Sequence, residues 1–327
     1  MVLSAFFSGR KNCNTEVYVK EALMAAQEKG IEVKLYRLND FELHNCTNCS
    51  KNQCNAMFNP KACPYKDDME FLMDAFLDSD GVIIASSVYS LTPNSLFFTF
   101  RDRVFGPKMD LALGMTPAPL PENLKSRFRP RPGALISVGG AMTENWTSLG
   151  LPSLFSATFS AQTEIVDHLN VYGVADYGAA TVNESYLAKA RKLGENLAEA
   201  MLSGDNSWRG EEKGVCPQCH LSLIEIEPGT DKVLCPVCGI YGTIKVEDGK
   251  SSIEWPDDIE HRRDNRMTVA GKQVHLMEIQ QCIQEYAPHK DKAMEKMKKY
   301  IDFDPAVKSP TKEAKKAAAL EKLNQNS

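Results

Sequence analysis

The sequence predicts an α/β fold: a doubly wound, five-stranded parallel sheet, followed by a small zinc ribbon and a helical C-terminal tail. Three observations predict it. Strand patterns alternate with helical patterns along residues 1–205, one tight group of cysteines lies within that part and a second follows it, and residues 256–327 are charged with helical spacing. Strands that alternate with helices pair in parallel, because parallel neighbours need a crossover connection.

The elements of the sheet follow from hydrophobic periodicity. Five segments have strand patterns: residues 1–7, 31–38, 81–86, 133–138 and a poorly bounded one within 164–176. Four segments have helical patterns: residues 14–29, 67–79, 95–104 and one that ends near 201. Gly30 closes the first helix, as glycine often does just past a last turn. Ligands of such sheets bind at the carboxyl ends of the strands.

Changes of composition divide the chain into three predicted parts. Residues 1–205 form the sheet domain, with a cysteine-rich loop at 46–63; residues 214–255 form the zinc ribbon, and 256–327 form the tail. A polar, glycine-containing segment around residues 203–214 links the first two parts. In the tail, apolar residues mark one face of each of two helices: Leu276, Ile279, Ile283 and Tyr286, then Ala293, Met297, Tyr300 and Ile301.

Composition and charge argue against a nucleic-acid-binding or membrane-spanning protein. The chain has 327 residues, 43% hydrophobic and 25% charged, with a formal net charge of −5. This balance gives no basis for wholesale nucleic-acid binding, and no apolar run approaches the ~18 residues of a membrane span. The N-terminus has no basic flank or cleavage site, so we expect a cytoplasmic protein. Thiols stay reduced in the cytoplasm, which favours metal ligation over disulfides for the ten cysteines.

The loop SGRKNCNT between the first strand and the first helix has the features of a phosphate site. Gly9 allows a sharp turn, Arg10 offers a charge, and Ser8, Asn14 and Thr15 offer neutral hydrogen bonds. The helix N-terminus adds free N–H groups. No Gly-Lys-Ser/Thr ending and no G-x-G-x-x-G motif is present, which excludes a P-loop and a dedicated dinucleotide domain. The alternative for this loop is an ordinary polar helix cap.

The stretch SSVYSLTPNSLFFTFRDR at residues 86–103 favours the phosphate site over a polar helix cap and points to a particular family. Together with the SGRKNCNT loop it resembles the NADPH-dependent FMN reductase group of flavodoxin-like proteins. The Tyr89-to-Asp102 spacing matches that group, whereas Ser87 and Phe98 stand where the family has a proline and a lysine.

The resemblance implies an FMN cofactor with its phosphate in the first loop. It places the isoalloxazine ring between the second loop and a third loop, SVGGA at residues 137–141. The residues implied to bind FMN are Ser8, Arg10, Asn14, Thr15, Ser87, Tyr89, Ser90, Leu91, Thr92, Gly139 and Gly140. Simple core packing is the alternative role for Tyr89.

The first cysteine group, Cys46-x2-Cys49-x4-Cys54-x8-Cys63, lies at the carboxyl end of the second strand. Four thiolates on a compact loop suit either Zn²⁺ or a [4Fe–4S] cluster. The segment CPYKDDM resembles the motif of the iron–sulfur flavoprotein family, although that family spaces its first three cysteines more closely. The resemblance and the neighbouring flavin site favour [4Fe–4S]. Asp67 and Asp68 are interpreted as acids that begin a helix.

The second group, formed by Cys216, Cys219, Cys235 and Cys238, consists of two Cys-x2-Cys knuckles separated by fifteen residues. This spacing predicts a zinc ribbon in which the metal folds a small module. A rubredoxin-like iron site is the alternative, because CPVCG is also a rubredoxin-type knuckle. A structural or partner-docking role is favoured over catalysis.

These features predict an FMN-dependent oxidoreductase that passes electrons between FMN and a [4Fe–4S] cluster. NAD(P)H docking transiently, or a ferredoxin-like protein, is the expected reductant, and the resemblance implies a homo-oligomer. Two alternatives remain: an NAD(P)H-dependent flavin or quinone reductase with zinc in the first cysteine group, and a redox-responsive regulator whose ribbon binds nucleic acid or protein. The arginines at 127, 129 and 131 are interpreted as a solvated loop, with a surface for an acidic partner or for a cofactor phosphate as the alternative.

Overall fold

A computed structural model describes residues 1–49, 63–105, 127, 129–211, 214–303, 305–307 and 309–311. The chain divides into a compact unit, Met1–His275, and a second unit, Leu276–Ser327. The predicted boundaries at 205, 214 and 255 therefore fall within the first unit, and as domain boundaries they stay a prediction.

The first unit is built on the predicted five-stranded parallel sheet. Its strands are β1 (Val2–Ser8), β2 (Glu32–Arg37), β3 (Gly81–Tyr89), β5 (Arg131–Val138) and β6 (Thr163–Val171), and the two-residue β4 (Thr92–Pro93) lies between β3 and β5 in the chain. The spatial order is β2-β1-β3-β5-β6, and every pair along it is parallel. Strand β4 pairs antiparallel with the end of β3. This flavodoxin-like order puts β3 at the centre, and the strand order reverses between β1 and β3.

Five helices of the first unit cover the two faces of the sheet. They are α1 (Asn14–Glu28), α2 (Met69–Leu77), α3 (Ser95–Val104), α4 (Gly150–Phe155) and α5 (Glu184–Ser203). Helices α1 and α5 share one buried cluster, and α2, α3 and α4 share the other. At the α1–α5 contact a Cβ on Gly194 would lie 2.0 Å from the carbonyl oxygen of Ala22. Only glycine permits this close approach of two helix backbones.

The cysteine-rich module forms a small antiparallel sheet. Its strands are β7 (Glu225–Ile226), β8 (Lys232–Leu234), β9 (Tyr241–Glu247) and β10 (Lys250–Glu254), in the order β10-β9-β8-β7. Its four cysteines belong to the same buried cluster as α2, α3 and α4. The ring of His220 stacks on Trp208 of the linker at a centroid distance of 4.0 Å, and the N–H of Arg209 donates to the carbonyl of Val166 on the outer edge of β6. The module is therefore packed onto the sheet domain.

Two helices follow: α6 (Val269–Tyr286), which reaches into the second unit, and α7 (Lys290–Asp302). Both coincide with the apolar stripes that the sequence predicts for the tail. Among the described residues, no helix is long and apolar enough to cross a membrane.

The interpretation of the three arginines as a solvated or partner-binding loop is wrong for Arg131, which is buried, whereas Arg127 is half-buried and Arg129 is exposed. Arg127 pairs with Asp74 and Asp78 at 2.9 and 2.8 Å. Arg129 pairs with Asp80 at 2.6 Å. The third, Arg131, is 1% exposed, and its guanidinium donates to backbone carbonyls. These side chains fasten the start of β5 to the end of α2, so their charges are used within the fold.

Candidate functional site

The predicted phosphate loop lies between β1 and α1 at the carboxyl edge of the sheet. Helix α1 begins after Cys13, and the side chain of Arg10 is exposed beside its N-terminus. A Cβ on Gly9 would lie 2.5 Å from the ring of Phe7, so only glycine fits there. An anion bound at this loop would meet N–H groups of the first helical turn, the positive end of the helix dipole and the exposed guanidinium of Arg10.

The three residues predicted to offer neutral hydrogen bonds to a phosphate, Ser8, Asn14 and Thr15, all use their side chains inside the protein. The hydroxyl of Ser8 donates to Ser86 Oγ at 2.8 Å and is fully buried. The amide of Asn14 donates to the carbonyls of Val174 and Asp176, at 2.9 and 2.7 Å, and its Oδ1 accepts from Ala180 N–H. Asn14 therefore fixes α1 to the segment after β6. The N–H groups of Gly9, Asn12 and Cys13 also donate inside the protein, so Arg10 and the N–H groups of the first turn of α1 are the donors that an anion would meet.

Thr15 is tied to the second predicted loop. Its hydroxyl oxygen lies 2.9 Å from Ser87 Oγ. The amide of Asn94 makes a second link by donating to the carbonyl of Ser8 at 3.0 Å, while its Oδ1 caps α3 by accepting from Leu96 N–H at 3.1 Å. The loops after β1 and β3 thus form one continuous wall.

Sequence reasoning missed Glu16, a fully buried carboxylate in the first turn of α1. It accepts from the guanidinium of Arg37 at 2.9 and 3.0 Å, from Lys20 at 2.7 Å and from the N–H of Asn12 at 2.7 Å. Burial alone would raise its pKa, but these donors outweigh burial and lower the pKa to about 2. Glu16 therefore holds the phosphate loop in shape. Arg37 at the end of β2 was the sequence signal that a carboxylate lies nearby.

The second loop differs from the prediction in one respect. Tyr89 does not follow the strand but is its last residue, because β3 runs three residues further than predicted and returns through β4. Ser90 and Leu91 both have positive φ, +48° and +74°, as the two central residues of a tight hairpin require. Such backbone angles are strained for side chains with a Cβ. The hairpin leaves Tyr89 55% exposed at the carboxyl edge.

The third loop is closely packed at its glycines. A Cβ on Gly139 would lie 2.3 Å from Thr147 Cγ2 and 3.8 Å from Val88 Cβ, and one on Gly140 would lie 3.1 Å from Ala175 Cα. Large side chains stand exposed after β3, β5 and β6: Tyr89, Leu91, Met142, Trp146 and Tyr177. We call this set of five side chains the mouth. Backbone cradle and mouth together fit a flat aromatic cofactor with a phosphate at one end.

The first cysteine group is only partly described, because Cys54 lies outside the described residues. Cys46 and Cys49 are exposed and Cys63 is half-buried. Among the described residues, the sulfurs of these three do not converge as a metal site, whereas those of the ribbon do. The described cysteines alone therefore do not make up the donor set of a [4Fe–4S] cluster, and the assignment of Cys46, Cys49, Cys54 and Cys63 stays a prediction.

The interpretation of Asp67 as merely an acid that begins a helix is incomplete. Its carboxylate forms an ion pair with Arg103, in which the two side chains are 1% and 3% exposed; Nη2 lies 3.0 Å from Oδ1. The same Nη2 lies 3.4 Å from the sulfur of Cys63. Burial alone would raise the pKa of Asp67, and the Arg103 guanidinium lowers it below its usual value. A buried cation thus stands beside one thiol of the first group.

The second cysteine group fits a metal ion. The sulfurs of Cys216, Cys219, Cys235 and Cys238 lie within 4.8 Å of one another and are buried. Two of the separations are 3.8 and 3.7 Å. A tetrahedral ion with Zn–S bonds of about 2.3 Å requires S–S separations of about 3.8 Å. The N–H of Cys238 points to Cys235 Sγ at 3.4 Å, which stabilises a thiolate ligand.

A cleft of about 1110 Å³ lies along the outer edge of β6 and not at the mouth. Its wall includes Asp167, which is 7% exposed and accepts from Asn196 Nδ2 at 2.8 Å. Burial raises the pKa of Asp167 to about 6. We assign the chemistry to the mouth because the three loops converge there, whereas the cleft contains none of the predicted cofactor residues.

Comparison with known proteins agrees with this geometry. The sequence model of the NADPH-dependent FMN reductase family matches residues 5–164. Flavone synthase cfoJ of Aspergillus candidus is 30% identical over 227 residues, which cover 68% of this chain and 69% of that protein. The chain belongs to the NADPH-dependent FMN reductase family. It is therefore a flavin-dependent oxidoreductase.

Other relatives of this FMN reductase family member carry a different name. An iron–sulfur flavoprotein of Archaeoglobus fulgidus is 27% identical over 208 residues, which cover 60% of this chain and 78% of that protein. A solved structure described as a flavone reductase superposes with a TM-score of 0.75 at 24% identity, covering 94% of this chain and 100% of that one. At this identity the likeness shows the fold, which here includes the ribbon module and the helical tail.

Proposed function

We propose that the protein is an FMN-dependent reductase whose hydride donor is NAD(P)H and whose acceptor is a planar, conjugated aromatic ketone of the flavone class. The observation that carries the proposal is the mouth: its exposed side chains lie at or after the strand ends that carry the predicted loops, and the Thr15–Ser87 and Asn94–Ser8 contacts join the first two of these loops. Flavin chemistry consists of accepting a hydride or single electrons and passing them on.

The residues of the mouth have distinct proposed roles. The α1 N-terminus and Arg10 bind the phosphate of FMN. Gly139 and Gly140 hold the third loop against Thr147 and Ala175, where neither has room for a side chain, and so keep its backbone at the proposed edge of the ring. Tyr89 and Trp146 bind a flat substrate by stacking, which is the contact that aromatic rings favour. The flavone class is supported by the name of the 30%-identical relative, and NAD(P)H by the description of the family.

Flavin analysis and anaerobic kinetics test the proposal. We expect boiled protein to release FMN, and NADPH oxidation to depend on an added flavone. Arg10→Gln should raise the Kd of FMN about tenfold, because a charge-assisted hydrogen bond is lost, whereas Lys11→Gln, the exposed neighbouring cation, should change it less than about twofold. Protein that binds FMN but shows no flavone-dependent NAD(P)H oxidation would refute the choice of substrate.

Electron transfer through a [4Fe–4S] cluster is the second candidate function. The contact between Arg103 and Cys63 supports it, since an N–H donor to a cysteine sulfur is a common means of tuning such a cluster. In the rival arrangement the first cysteine group holds zinc. Anaerobic purification with iron, sulfide and zinc counted per chain separates them: about four iron and four sulfide support the cluster, and a second zinc without sulfide supports the alternative.

A further inference from the structure

The cleft along the outer edge of β6 is a second cavity, separate from the mouth. Its lining comes from β6, from helix α5, from the segment 144–152, from the linker at 209–211 and from ribbon residues 214 and 220–223. None of the five side chains of the mouth belongs to this lining. Its volume of about 1110 Å³ is at the upper end of the range of small-molecule sites. The cleft is therefore large enough to bind a small molecule of its own.

Aromatic and aliphatic side chains form a large part of the lining. They include Leu151, Leu169, Tyr172, Tyr186, Leu221 and Leu223. Tyr172 and Tyr186 meet edge to face, with ring centroids 6.1 Å apart and ring planes at 73°. His220 adds a third ring, which stacking on Trp208 at 4.0 Å holds in place. Because aromatic rings bind other rings by stacking and by edge contacts, this lining favours a planar aromatic ligand.

The charged residues of the lining balance one another. Three are cations and three are carboxylates: Lys189, Lys192, Arg209, Glu144, Asp167 and Glu211. Lys189 and Glu211 form an ion pair at 3.7 Å, and the carboxylate of Asp167 accepts from Asn196 Nδ2 at 2.8 Å. An ionic ligand of either sign would lose its hydration in the cleft and gain no net attraction in return. The balance of charge therefore favours an uncharged ligand.

Two residues of the lining have a buried polar atom without a hydrogen-bond partner in the part of the chain that the structure describes. These atoms are Arg209 Nε, a donor, and Asn170 Oδ1, an acceptor. The same side chains are held by their other polar atoms: Arg209 Nη2 donates to the carbonyl of Asp205 at 2.7 Å, and Asn170 Nδ2 donates to Thr147 Oγ1 at 3.1 Å. Buried polar atoms in folded proteins usually have a partner.

The positions of these two residues set the length of a ligand that would reach both. The backbone N–H of Arg209 donates to the carbonyl of Val166. Asn170 lies four residues further along β6, which is about 13 Å in a strand. A molecule of two aromatic rings with an oxygen at each end spans a distance of this order.

We propose that the cleft binds an uncharged, planar phenol of at least two rings, with a hydroxyl group at each end. One phenolic oxygen accepts from Arg209 Nε, and the other hydroxyl donates to Asn170 Oδ1, since a phenolic hydroxyl does both. The rings pack on the tyrosines and leucines of the lining. The proposal does not depend on the substrate proposed for the mouth.

Titration calorimetry of the FMN-loaded full chain with p,p′-dihydroxybiphenyl tests the ligand class. This probe has two rings and a hydroxyl group at each end, and we expect a Kd below about 1 mM. The dianion p,p′-biphenyldicarboxylate has the same frame and should bind at least about tenfold more weakly, because its charges lose their hydration. Absence of binding by the dihydroxy probe, or tighter binding of the dicarboxylate, would overturn the proposal.

Substitutions locate the bound probe. Ala188 is an exposed residue of α5 in the lining, and Ala188→Trp should raise the Kd about tenfold or more because the indole occupies the cleft. Met24→Trp, at an exposed position of α1 outside the lining, is the matched control and should stay within about twofold. Unchanged far-ultraviolet circular dichroism would show that both variants are folded.

A variant of the mouth completes this comparison. Trp146→Ala removes an exposed ring of the mouth and should leave the Kd of the probe within about twofold. Binding that survives Ala188→Trp would overturn the proposal, and its loss in Trp146→Ala would then place the probe in the mouth.

Asn170→Leu tests the hydrogen bond to the ligand. The substitution keeps the approximate size of the side chain and removes the acceptor, so the Kd of p,p′-dihydroxybiphenyl should rise about five- to tenfold. The Kd of γ,γ′-bipyridyl, an uncharged two-ring compound with acceptors but no donor, should change less than about twofold. Equal effects on the two probes would mean that Asn170 only shapes the cleft, and would overturn the assignment of a phenol as the ligand.

Discussion

The hydroxyl oxygens of Thr15 and Ser87 lie 2.9 Å apart, although 72 residues separate them in the chain. This contact joins the loop after β1, where the phosphate of FMN is proposed to bind, to the end of β3, which is proposed to border its ring. One hydroxyl must donate to the other, so each fixes the rotamer of its partner. The cradle is thus held in shape by side chains that do not themselves need to touch the cofactor.

The first prediction concerns this contact. Thr15→Val keeps the shape of the side chain but leaves the Ser87 hydroxyl without its partner, a loss of about 1 kcal/mol. We expect the Kd of FMN, measured by fluorescence quenching, to rise roughly five- to tenfold. Thr15→Ser retains the hydroxyl and should stay within about twofold. An FMN affinity unchanged in Thr15→Val would mean that the two loops are positioned without this contact.

The second prediction concerns Glu16 and acid stability. Its pKa is lowered to about 2 in the folded protein, below the ordinary value of 4.5. A carboxyl with a lowered pKa stabilises the folded state above its unfolded pKa, and this contribution is lost as pH falls from about 4.5 toward 2. The full difference is roughly 3 kcal/mol.

Urea unfolding at several pH values measures this contribution. Glu16→Gln should lower the free energy of unfolding at pH near 7, and its difference from the natural protein should shrink below pH 4.5. Glu32→Gln is the matched control, because Glu32 is 62% exposed and forms an exposed ion pair with Lys34. A Glu16→Gln deficit that stays constant from neutral to acid pH would contradict the lowered pKa.

The third prediction concerns Asp167, whose contribution to stability changes with pH in the opposite direction to that of Glu16. Burial raises the pKa of Asp167 to about 6, so ionisation of this carboxyl opposes folding. Its favourable contribution is complete below the ordinary value of 3.8 and is lost as pH rises through 6. Asp167→Asn should therefore raise the melting temperature above pH 6 and have little effect on it below pH 4. Asp257→Asn, at an exposed site, should leave the melting temperature unchanged at both pH values. Equal melting temperatures at pH 8 would contradict the raised pKa.

The order of strands and helices was predictable because it depends on local periodicity. Helix α3 begins and ends at the predicted residues, and the four ribbon cysteines converge as their knuckle spacing requires. The partners of polar side chains were not predictable in the same way. Asn14 is bonded to a carbonyl 160 residues away, and Arg103 to a carboxylate 36 residues away. Such pairs are fixed by the packing of whole elements, which no local pattern encodes.

The end of β3 is a second feature that could not be predicted from the sequence. The apolar run stops at Ala85, and the strand was predicted to end at Ser86. In the structure it continues to Tyr89 because β4 pairs with it. A polar, half-exposed strand end has no periodicity of its own, so only the hairpin partner reveals it. The exposed position of Tyr89 results from that pairing.

The fourth prediction concerns the buried pair of Arg103 and Asp67. Removing one partner leaves the other charge buried and unpaired, which typically costs about 3–5 kcal/mol. Arg103→Gln should lower the free energy of unfolding by this order and expose Cys63 to thiol reagents. Arg101→Gln removes a guanidinium from the same helix, but that side chain is 31% exposed and should cost less than about 1 kcal/mol. Equal effects of the two substitutions would mean that the Arg103 pair does not anchor this region.

The fifth prediction concerns the metal of the ribbon. Four thiolates at the spacing found in the structure suit one tetrahedral ion, and we expect one zinc per chain. Two tryptophans report on the module: Trp208 stacks on His220 at 4.0 Å, and Trp255 Nε1 donates to the carbonyl of Val215 at 2.7 Å. Removal of the metal by a strong chelator should unfold the module and change the tryptophan emission.

Cys235→Ser distinguishes metal loss at the ribbon from any effect of a chelator or substitution at the other cysteines. It should lose the zinc and give the emission of the chelated protein without chelator, whereas Cys282→Ser, at an exposed cysteine, should keep both zinc and emission. Since the ribbon cysteines share a buried cluster with α2, α3 and α4, loss of the metal should also lower the melting temperature of the sheet domain. Iron in place of zinc would indicate a rubredoxin-like centre, and emission unaffected by chelation would mean that packing alone folds the module.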